Sequence, residues 1–427
     1  MPKGKIEKNF PAAQDILYSN QAYWIKINQI IGNLADAYGF DRLDLPIVER
    51  DDVFFKKIKY YSDISEREMR ISENGKSDKF RLRSDFTASI IRAYLESGLS
   101  FLPKPVRLHA AGPVFYNTGE KKEWMYQSDN ASFEIVGEKD SVIDAQLIQL
   151  FFSISRDAGL KNLIAKINSV GCSDCRPNYK KLLVNFYKNR EKDLCLKCRK
   201  QRLNNPINLL NCENPKCVEL ALEAPQIIDC LCNECHNHLK NILEYLDEVE
   251  IPYMLDPYLF KNSDYCTKTV FEMFSDAKQD NLQALAIGHR HDDLIGAFGG
   301  VDTPAIGIDI RLSKMVDLMS QNCVKISQKI RPLVFLVQLG CLGKKKSLIL
   351  FEELRMAGLR VANSVSCNTI TSQLNAANRL GADFILILGQ KEATDNTIII
   401  RDVCSGIQEL MPLEKIVKEI KKRIKRK

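Results

Sequence analysis

The sequence lacks several features that would place it in a special class of protein. None of its apolar runs reaches eighteen residues, which excludes a transmembrane helix. Its first ten residues contain lysine but no apolar core, so we expect no secretory signal and a cytoplasmic location. It has no internal repeat or low-complexity segment, and 45% hydrophobic with 27% charged residues excludes wholesale disorder and a fibrous chain. The 427 residues therefore predict about three globular domains.

The positive charge is confined to one end of the chain. The 61 basic and 54 acidic residues give a net charge of +7, and residues 415–427, with eight Lys or Arg and one Glu, account for all of it. Apolar residues at helical spacing (Ile416, Ile420 and Ile424) predict a terminal helix that packs on its domain and turns its cations outward. Such a surface favours phosphate contacts, and the alternative is a solubilising tail.

Nine of the fourteen cysteines lie between Cys172 and Cys235. Clustered CxxC pairs in an unsignalled chain indicate metal ligands rather than disulfides, and four thiolates close a tetrahedral zinc ion into a structural site. Sequential pairing predicts two zinc sites, although interleaved pairing, unligated buried cysteines and substitution by Cys230, His236 or His238 remain alternatives. The predicted ligands are Cys172, Cys175, Cys195 and Cys198 for one site, and Cys212, Cys217, Cys232 and Cys235 for the other.

The patterns along the chain predict an interrupted α+β core followed by an α/β domain. Residues 106–115 and 131–136 alternate as two strands of a long-tipped hairpin, which favours an antiparallel sheet. After residue 332 buried strands alternate with helices as a βαβαβ unit, and residues 397–402 are expected to form its edge strand. The predicted domains are the first part of the core (1–167), a helical, basic, Cys-rich insertion (168–250), the second part of the core (251–330) and the α/β domain (331–427).

Eight segments in collinear order resemble the histidyl-tRNA synthetase family of class II aminoacyl-tRNA synthetases. The resemblance implies a class II core on an antiparallel sheet, a C-terminal anticodon-binding domain, a homodimer formed through the first segment, tRNA as partner, and ATP with Mg²⁺ if the protein is active. The segments are GFDRLDLP (39–46), LRSDFTA (82–88), GPVF (112–115), FEIVG (133–137), KNSDYCT (261–267), GHRHDDL (288–294), QLNAANRLG (373–381) and IIRD (399–402).

The positions at which this family binds ATP and the transition state are substituted here. Adenylation brings two anions together, and arginine suits that task because its planar fork bonds phosphate oxygens bidentately. Removing one such donor typically costs ~3 kcal/mol, so adenylation is expected to be impaired unless Lys121 and Lys122 replace the missing cations. The resemblance places arginine where this chain has Tyr116, Trp124, Lys261 and Lys314, and glutamate where it has Thr118 and Ser313.

The resemblance also implies a partly rewritten amino-acid pocket. Three positions match the family. Asp85 would accept a hydrogen bond from an α-ammonium group, Thr87 is a neighbouring hydroxyl, and Glu134 would accept a hydrogen bond from an imidazole. The remaining positions carry Asn130 for glutamine and Cys266 and His291 for two tyrosines. The structural alternatives are a satisfied polar residue near a turn for His291 and a small buried residue for Cys266.

Three functions are compatible with these patterns. The first is a histidyl-tRNA-synthetase-like protein that binds tRNA but has degraded adenylation residues. The second is an active histidine–tRNA ligase in which lysines replace arginines. The third resembles the regulatory subunit of ATP phosphoribosyltransferase, a family that lacks the anticodon-binding domain, so residues 333–427 argue against it.

Overall fold

A computed structural model describes residues 15–50, 69–71, 80–116, 126–212, 214–260, 265–275, 284–326, 333–364 and 369–424. The chain divides into two compact units, Met1–Ile326 and Ser327–Lys427. Numbered in chain order, the strands are β1 (Asp41–Arg42), β2 (Val48–Arg50), β3 (Arg70–Ile71), β4 (Phe80–Leu82), β5 (Val106–Tyr116), β6 (Tyr126–Val136), β7 (Leu163–Gly171), β8 (Tyr253–Leu255), β9 (Thr267–Ser275), β10 (Ala286–Arg290), β11 (Ala305–Arg311), β12 (Val334–Gln338), β13 (Val361–Asn363), β14 (Phe384–Leu388), β15 (Thr397–Asp402) and β16 (Gln408–Pro412).

The helices of the described residues follow the apolar spacing of the sequence. They are α1 (Gln21–Ala37), α2 (Thr87–Glu96), α3 (Val142–Asp157), α4 (Cys175–Lys188), α5 (Leu196–Gln201), α6 (Pro215–Leu222), α7 (Asn233–Glu248), α8 (Leu294–Ala297), α9 (Leu312–Gln321), α10 (Gly340–Met356), α11 (Ile370–Leu380), α12 (Gln390–Thr394) and α13 (Ile416–Ile424). Within this part of the chain no helix combines the length and apolarity needed to cross a bilayer.

The larger unit is built on an eight-stranded sheet in the order β1-β5-β6-β11-β10-β9-β7-β8. The strands from β5 to β7 in this order are antiparallel, and β1 and β8 pair in parallel at the two edges. The predicted hairpin forms, with Tyr116 opposite Tyr126, so its second strand begins five residues earlier than the sequence pattern indicates. A separate three-stranded sheet, β2-β4-β3, lies in the same unit.

Side-chain alternation sorts the apolar and polar side chains of β6 and β11 onto opposite faces of the large sheet. Along β11, Ile306, Ile308 and Ile310 are buried in the main core, where helices α1, α3, α7 and α9 pack. Successive side chains of a strand point to opposite faces, so Asp309 and Arg311 lie on the other face. Strand β6 alternates in the same way. The polar side chains of these strands therefore collect on the face opposite the main helical layer.

The Cys-rich block follows β7 directly. Strand β7 pairs with β9 up to Gly171 and includes the first residues that the sequence analysis assigned to the insertion. Helices α4, α5, α6 and α7 follow, and the last of these returns to the core, where Leu239, Ile242 and Leu246 are buried.

The smaller unit contains a five-stranded sheet in the order β13-β12-β14-β15-β16. The first three strands are parallel, and β15 and β16 are antiparallel. The prediction that residues 397–402 form the edge strand is wrong, because β16 lies outside them. The turn before β16 is stabilised by Asp402, which accepts hydrogen bonds from the backbone of Cys404 and Ser405 at 2.9 Å. Strand β16 is mostly exposed and lacks an apolar pattern, which explains why the sequence did not reveal it.

Candidate functional site

Glu134 lies at the centre of the polar face of the large sheet. In register, Glu134 on β6 is opposite Gly307 on β11, which in turn is opposite His289 on β10. A Cβ atom on residue 307 would lie 2.2 Å from the Glu134 carboxylate. Glycine at this position therefore leaves the space that the buried carboxylate occupies.

The protein's own imidazole faces that carboxylate. Nε2 of His291 lies 3.3 Å from Oε2 of Glu134, and both side chains are fully buried. Nδ1 of His291 lies 3.2 Å from the carbonyl oxygen of His289 and therefore carries the ring proton and donates a hydrogen bond to it. Among the described residues, neither oxygen of this carboxylate has a hydrogen-bond partner, and Nε2 of His291 has none either. A buried carboxylate with unused acceptor capacity fits a ligand site.

Two further rings complete the surroundings of His291. The Tyr265 hydroxyl lies 3.1 Å from Nε2 of His289, and the rings of His289 and His291 have centroids 5.3 Å apart. We call the group Glu134, Tyr265, His289 and His291 the candidate pocket. His289 and Tyr265 were not among the predicted site residues, although both belong to the segments that resemble the family.

Asn130 is already engaged within the protein. Its Nδ2 donates to Oδ2 of Asp309 at 2.8 Å, and its Oδ1 accepts from the Ser128 hydroxyl at 2.8 Å. One residue earlier, the backbone N–H of Asp129 donates to the Ser313 hydroxyl at 2.9 Å. The side chain of Asn130, which was predicted to line the amino-acid pocket, therefore links β6 to β11.

Tyr116 ends β5 and packs on Tyr126, with ring centroids 5.0 Å apart. Burial raises the pKa of Tyr116 to about 12, so its phenol is neutral at pH 7. Lys314 lies in α9, where burial, followed by the nearby charge of Arg311, lowers the pKa of its ammonium group. The tyrosine thus supplies no charge at a position where the family resemblance implies a cation.

Arg311 is a charged residue that the sequence analysis missed. It ends β11 opposite Asn130, and its guanidinium donates to the carbonyl of Ala284 at 3.2 Å. Its charge acts on both Tyr116 and Lys314. The sequence feature that could have identified it is its position directly after the alternating isoleucines of β11.

The other predicted pocket residues lie on separate elements. Thr87 begins α2 and is buried, and Asp85 precedes it by two residues. Cys266 is fully buried in an apolar cluster with Tyr179 and Phe260, as its structural alternative predicts. Three predicted residues lie outside the described part of the chain: Thr118, Trp124 and Lys261.

The eight predicted cysteines form two compact groups that could each hold a metal ion. Within each group the four sulfur atoms lie within 4.8 Å of one another. Zinc bonded to thiolates at about 2.3 Å in a tetrahedron would place the sulfurs about 3.8 Å apart. The Sγ–Sγ distances are 3.6 Å for Cys172 and Cys175, and 3.9 Å for both Cys172 with Cys232 and Cys195 with Cys212. The spacing therefore fits a tetrahedral thiolate site.

The sequential pairing is wrong: the first and last cysteine pairs of the block share one group, and the two middle pairs share the other. The base group contains Cys172, Cys175, Cys232 and Cys235, and the distal group contains Cys195, Cys198, Cys212 and Cys217. The base group brings together the start of α4 and the start of α7, the two ends of the Cys-rich block. His238, one of the proposed substitutes, instead faces Asp144 at 3.2 Å.

Thiolate formation is favoured at the first cysteine of two CxxC turns, one in each group. A hydrogen bond from the backbone of Cys198 lowers the pKa of Cys195 to about 7. A hydrogen bond from the backbone of Cys235 lowers the pKa of Cys232 in the same way. Thiolates are the metal-binding form of cysteine, so these backbone donors favour metal binding.

An antiparallel sheet with a buried polar face and a separate α/β unit is the architecture of a class II aminoacyl-tRNA synthetase. The sequence profile described as Histidyl-tRNA synthetase matches residues 13–174 and 213–315, and that of an anticodon-binding domain matches residues 341–423. The chain belongs to the histidyl-tRNA synthetase family. Residues 175–212, with four of the predicted metal ligands, lie outside the match.

Relatives support the same family. A histidine–tRNA ligase of Dehalococcoides mccartyi is 32% identical over 413 residues, which cover 96% of this chain and 98% of the relative. An apo histidyl-tRNA synthetase structure from S. aureus covers 97% of this chain and 100% of that one, with a TM-score of 0.80 and 25% identity. A Bacillus halodurans structure named ATP phosphoribosyltransferase regulatory subunit/histidyl-tRNA synthetase shares the fold, with a TM-score of 0.62 and 17% identity over 90% of this chain and 98% of that one.

Proposed function

We propose that this chain is a histidyl-tRNA-synthetase-like protein that binds tRNA and adenylates histidine poorly. The observation that carries the proposal is Tyr116, a neutral phenol packed on Tyr126 where the family resemblance implies a cation. The position of His291 adds to it, because its ring lies against the carboxylate at which the family resemblance implies that a substrate imidazole binds. Two assays on one preparation test the proposal: binding of histidine tRNA, and histidine-dependent pyrophosphate exchange. Binding without rapid exchange is expected.

A second candidate, an active histidine–tRNA ligase with ATP and Mg²⁺, is favoured by one observation. The charge of Arg311 acts on Tyr116, and Lys314 is close enough to Arg311 for the two cations to influence each other. If these two cations serve the phosphates, pyrophosphate exchange proceeds at the rate of an ordinary synthetase. The exchange assay therefore separates the two candidates.

The outward cations of α13 are expected to contribute to RNA binding. Deleting the helix would remove the buried Ile416 and Ile420, so the exposed Lys421 and Lys422 are better replaced by glutamine. We expect weaker tRNA binding, with a log–log salt slope shallower by about 0.7 to 0.9 for each lysine that contacts a phosphate. The matched control replaces the exposed Lys139 and Lys161. Equal slopes for the two variants would show that α13 does not contact the RNA.

We infer that each cysteine group binds one zinc ion. Protein purified without chelator should contain about two equivalents of zinc, because two complete tetrahedral thiolate sets are present. Elemental analysis measures the content, and Cys323→Ser, at an exposed cysteine outside both groups, should leave it unchanged. Metal-free protein would contradict the inference.

We also propose a two-fold dimer formed through the segment around residues 39–50. Ile47, Val48 and Phe80 are apolar and exposed near the small sheet, and an isologous contact would cover both copies at once. Light scattering should give twice the 48.6 kDa chain mass, and Phe80→Glu should give the single-chain mass. The control is Phe101→Glu, at another exposed phenylalanine. A parent protein of single-chain mass at micromolar concentration argues against the dimer.

A further inference from the structure

The base group of cysteines adjoins the strands that carry the candidate pocket. Gly171, the last residue of β7, pairs with Lys268 of β9, and Cys172 follows it immediately. Strand β9 in turn pairs with β10, which contains His289. Strand β9 therefore lies between β7, which leads into the base group, and β10, which carries His289.

The first polar link starts at the residue after Cys175. Nη1 of Arg176 donates to the carbonyl oxygen of Cys266 at 3.0 Å. Cys266 lies between Tyr265 of the candidate pocket and the start of β9. The CxxC turn therefore holds the backbone that positions Tyr265.

The second link starts inside the other CxxC turn. Glu234 accepts a hydrogen bond from Nζ of Lys268 at 2.9 Å, and the same ammonium group lies 3.6 Å from Asp292, the neighbour of His291. Lys268 has a φ of 49°, a left-handed conformation that costs a lysine about 1 kcal/mol or more. Glu234 and Asp292 thus hold a strained residue of β9 in place.

The third link passes through the buried part of the core. Nε2 of His238, three residues after Cys235, lies 3.2 Å from Asp144. Asp144 forms an ion pair with Arg290, and both side chains are fully buried. Arg290 stands between His289 and His291, so α7 is tied to the strand that presents both histidines.

The distal group shares an apolar cluster with Cys266, but its polar contacts differ from those of the base group. The charged residues that flank its first CxxC turn bond inside the Cys-rich block: Arg199 donates to the carbonyl of Leu194 at 3.0 Å, and Arg202 to Glu191 at 2.6 Å. These contacts organise the block itself. Variants of the distal group can therefore serve as controls for variants of the base group in the same protein.

We propose that Arg176, Glu234 and His238 are positioning residues, through which metal bound by the base group holds the candidate pocket in shape. The inference rests on the proposed metal binding. Loss of the base metal releases the starts of α4 and α7, and with them the anchors of residues 265–268 and 289–292. Loss of the distal metal loosens the block between residues 191 and 222 and leaves the pocket unchanged.

Hydrogen exchange in the full-length protein tests this inference without any activity assay. Cys232→Ser in the base group is compared with Cys212→Ser in the distal group, both at half-buried cysteines. Each variant should lose about one zinc equivalent. Peptides covering residues 265–275 and 286–293 should exchange about tenfold faster in Cys232→Ser and at the parent rate in Cys212→Ser. Equal exchange of these peptides in the two variants overturns the proposal.

A second pair of variants keeps all eight cysteines. Arg176→Met should retain both zinc ions yet speed exchange around residues 265–268, and Arg176→Lys, which keeps a donor for the Cys266 carbonyl, should restore protection. If Cys232→Ser does not fold, the two Arg176 variants test the proposal instead. Hydrogen exchange at the parent rate in Arg176→Met then overturns it. A parent protein without zinc refutes the proposed metal binding and the inference together. Zinc binding with an unresponsive pocket refutes the inference alone.

Discussion

Histidine-dependent pyrophosphate exchange by this protein is expected to be at least about a hundredfold slower than by a synthetase with arginine at the position of Tyr116, because one lost transition-state donor costs ~3 kcal/mol. Tyr116 offers a neutral phenol packed on Tyr126 instead. Tyr116→Arg alone should not restore the rate, because Thr118 and Lys314 would still replace the residues that the family resemblance implies for binding ATP. Steady-state exchange with saturating histidine and ATP is the measurement.

The matched control for this prediction is Tyr116→Phe. A phenol whose pKa lies near 12 does not ionise in the assay, so removing its hydroxyl should leave both the residual rate and its pH profile between pH 7 and pH 9 unchanged. A tyrosine that works as a donor would instead lose activity on this change. Parent protein that charges tRNA with histidine several times per second would show that Arg311 and Lys314 suffice.

Asp144→Asn is expected to destabilise the larger unit by about 3–5 kcal/mol, because it leaves Arg290 charged and buried without its main partner. Arg290 also donates to the carbonyl of Glu138 at 3.0 Å and to Asp292 at 3.3 Å, but both of its contacts with the carboxylate of Asp144 lie in the dry core. Both tryptophans, Trp24 and Trp124, belong to the larger unit. Their fluorescence during urea unfolding therefore reports on that unit.

The same ion pair predicts the response to acid. Burial alone would raise the pKa of Asp144, but the charge of Arg290 and the contact with His238 lower it overall. A carboxyl whose folded pKa is depressed stabilises the fold above its unfolded value of about 3.9, and that stability is lost as the pH falls through the folded pKa. Asp144→Asn should remove this part of the acid sensitivity. The control is Arg156→Met in the exposed pair with Asp157, which should leave both stability and acid response near those of the parent.

Much of the fold could be predicted from local sequence patterns. Helix α11 has a Thr369 cap whose side chain accepts a hydrogen bond from the backbone of Ser372, and it ends at Gly381 with a φ of 67°. Both signals lie within a few residues of the helix. Strands β7 and β16 escaped prediction because β7 leads directly into the Cys-rich block and β16 is an exposed edge without alternation.

The sequence by itself determined the family and the eight metal-ligand candidates, and it predicted the replacement of the family arginines, because each depends on residue identity at known spacing. The tertiary structure alone decided which cysteines share a site, that His291 faces Glu134, and that Arg290 pairs with Asp144 rather than pointing into the candidate pocket. The paired residues are separated by 60, 157 and 146 positions respectively (Cys172 to Cys232, Glu134 to His291, Asp144 to Arg290). Contacts between residues so far apart in the sequence depend on which strands become neighbours and on which face of the sheet each side chain lies. No local periodicity encodes that choice.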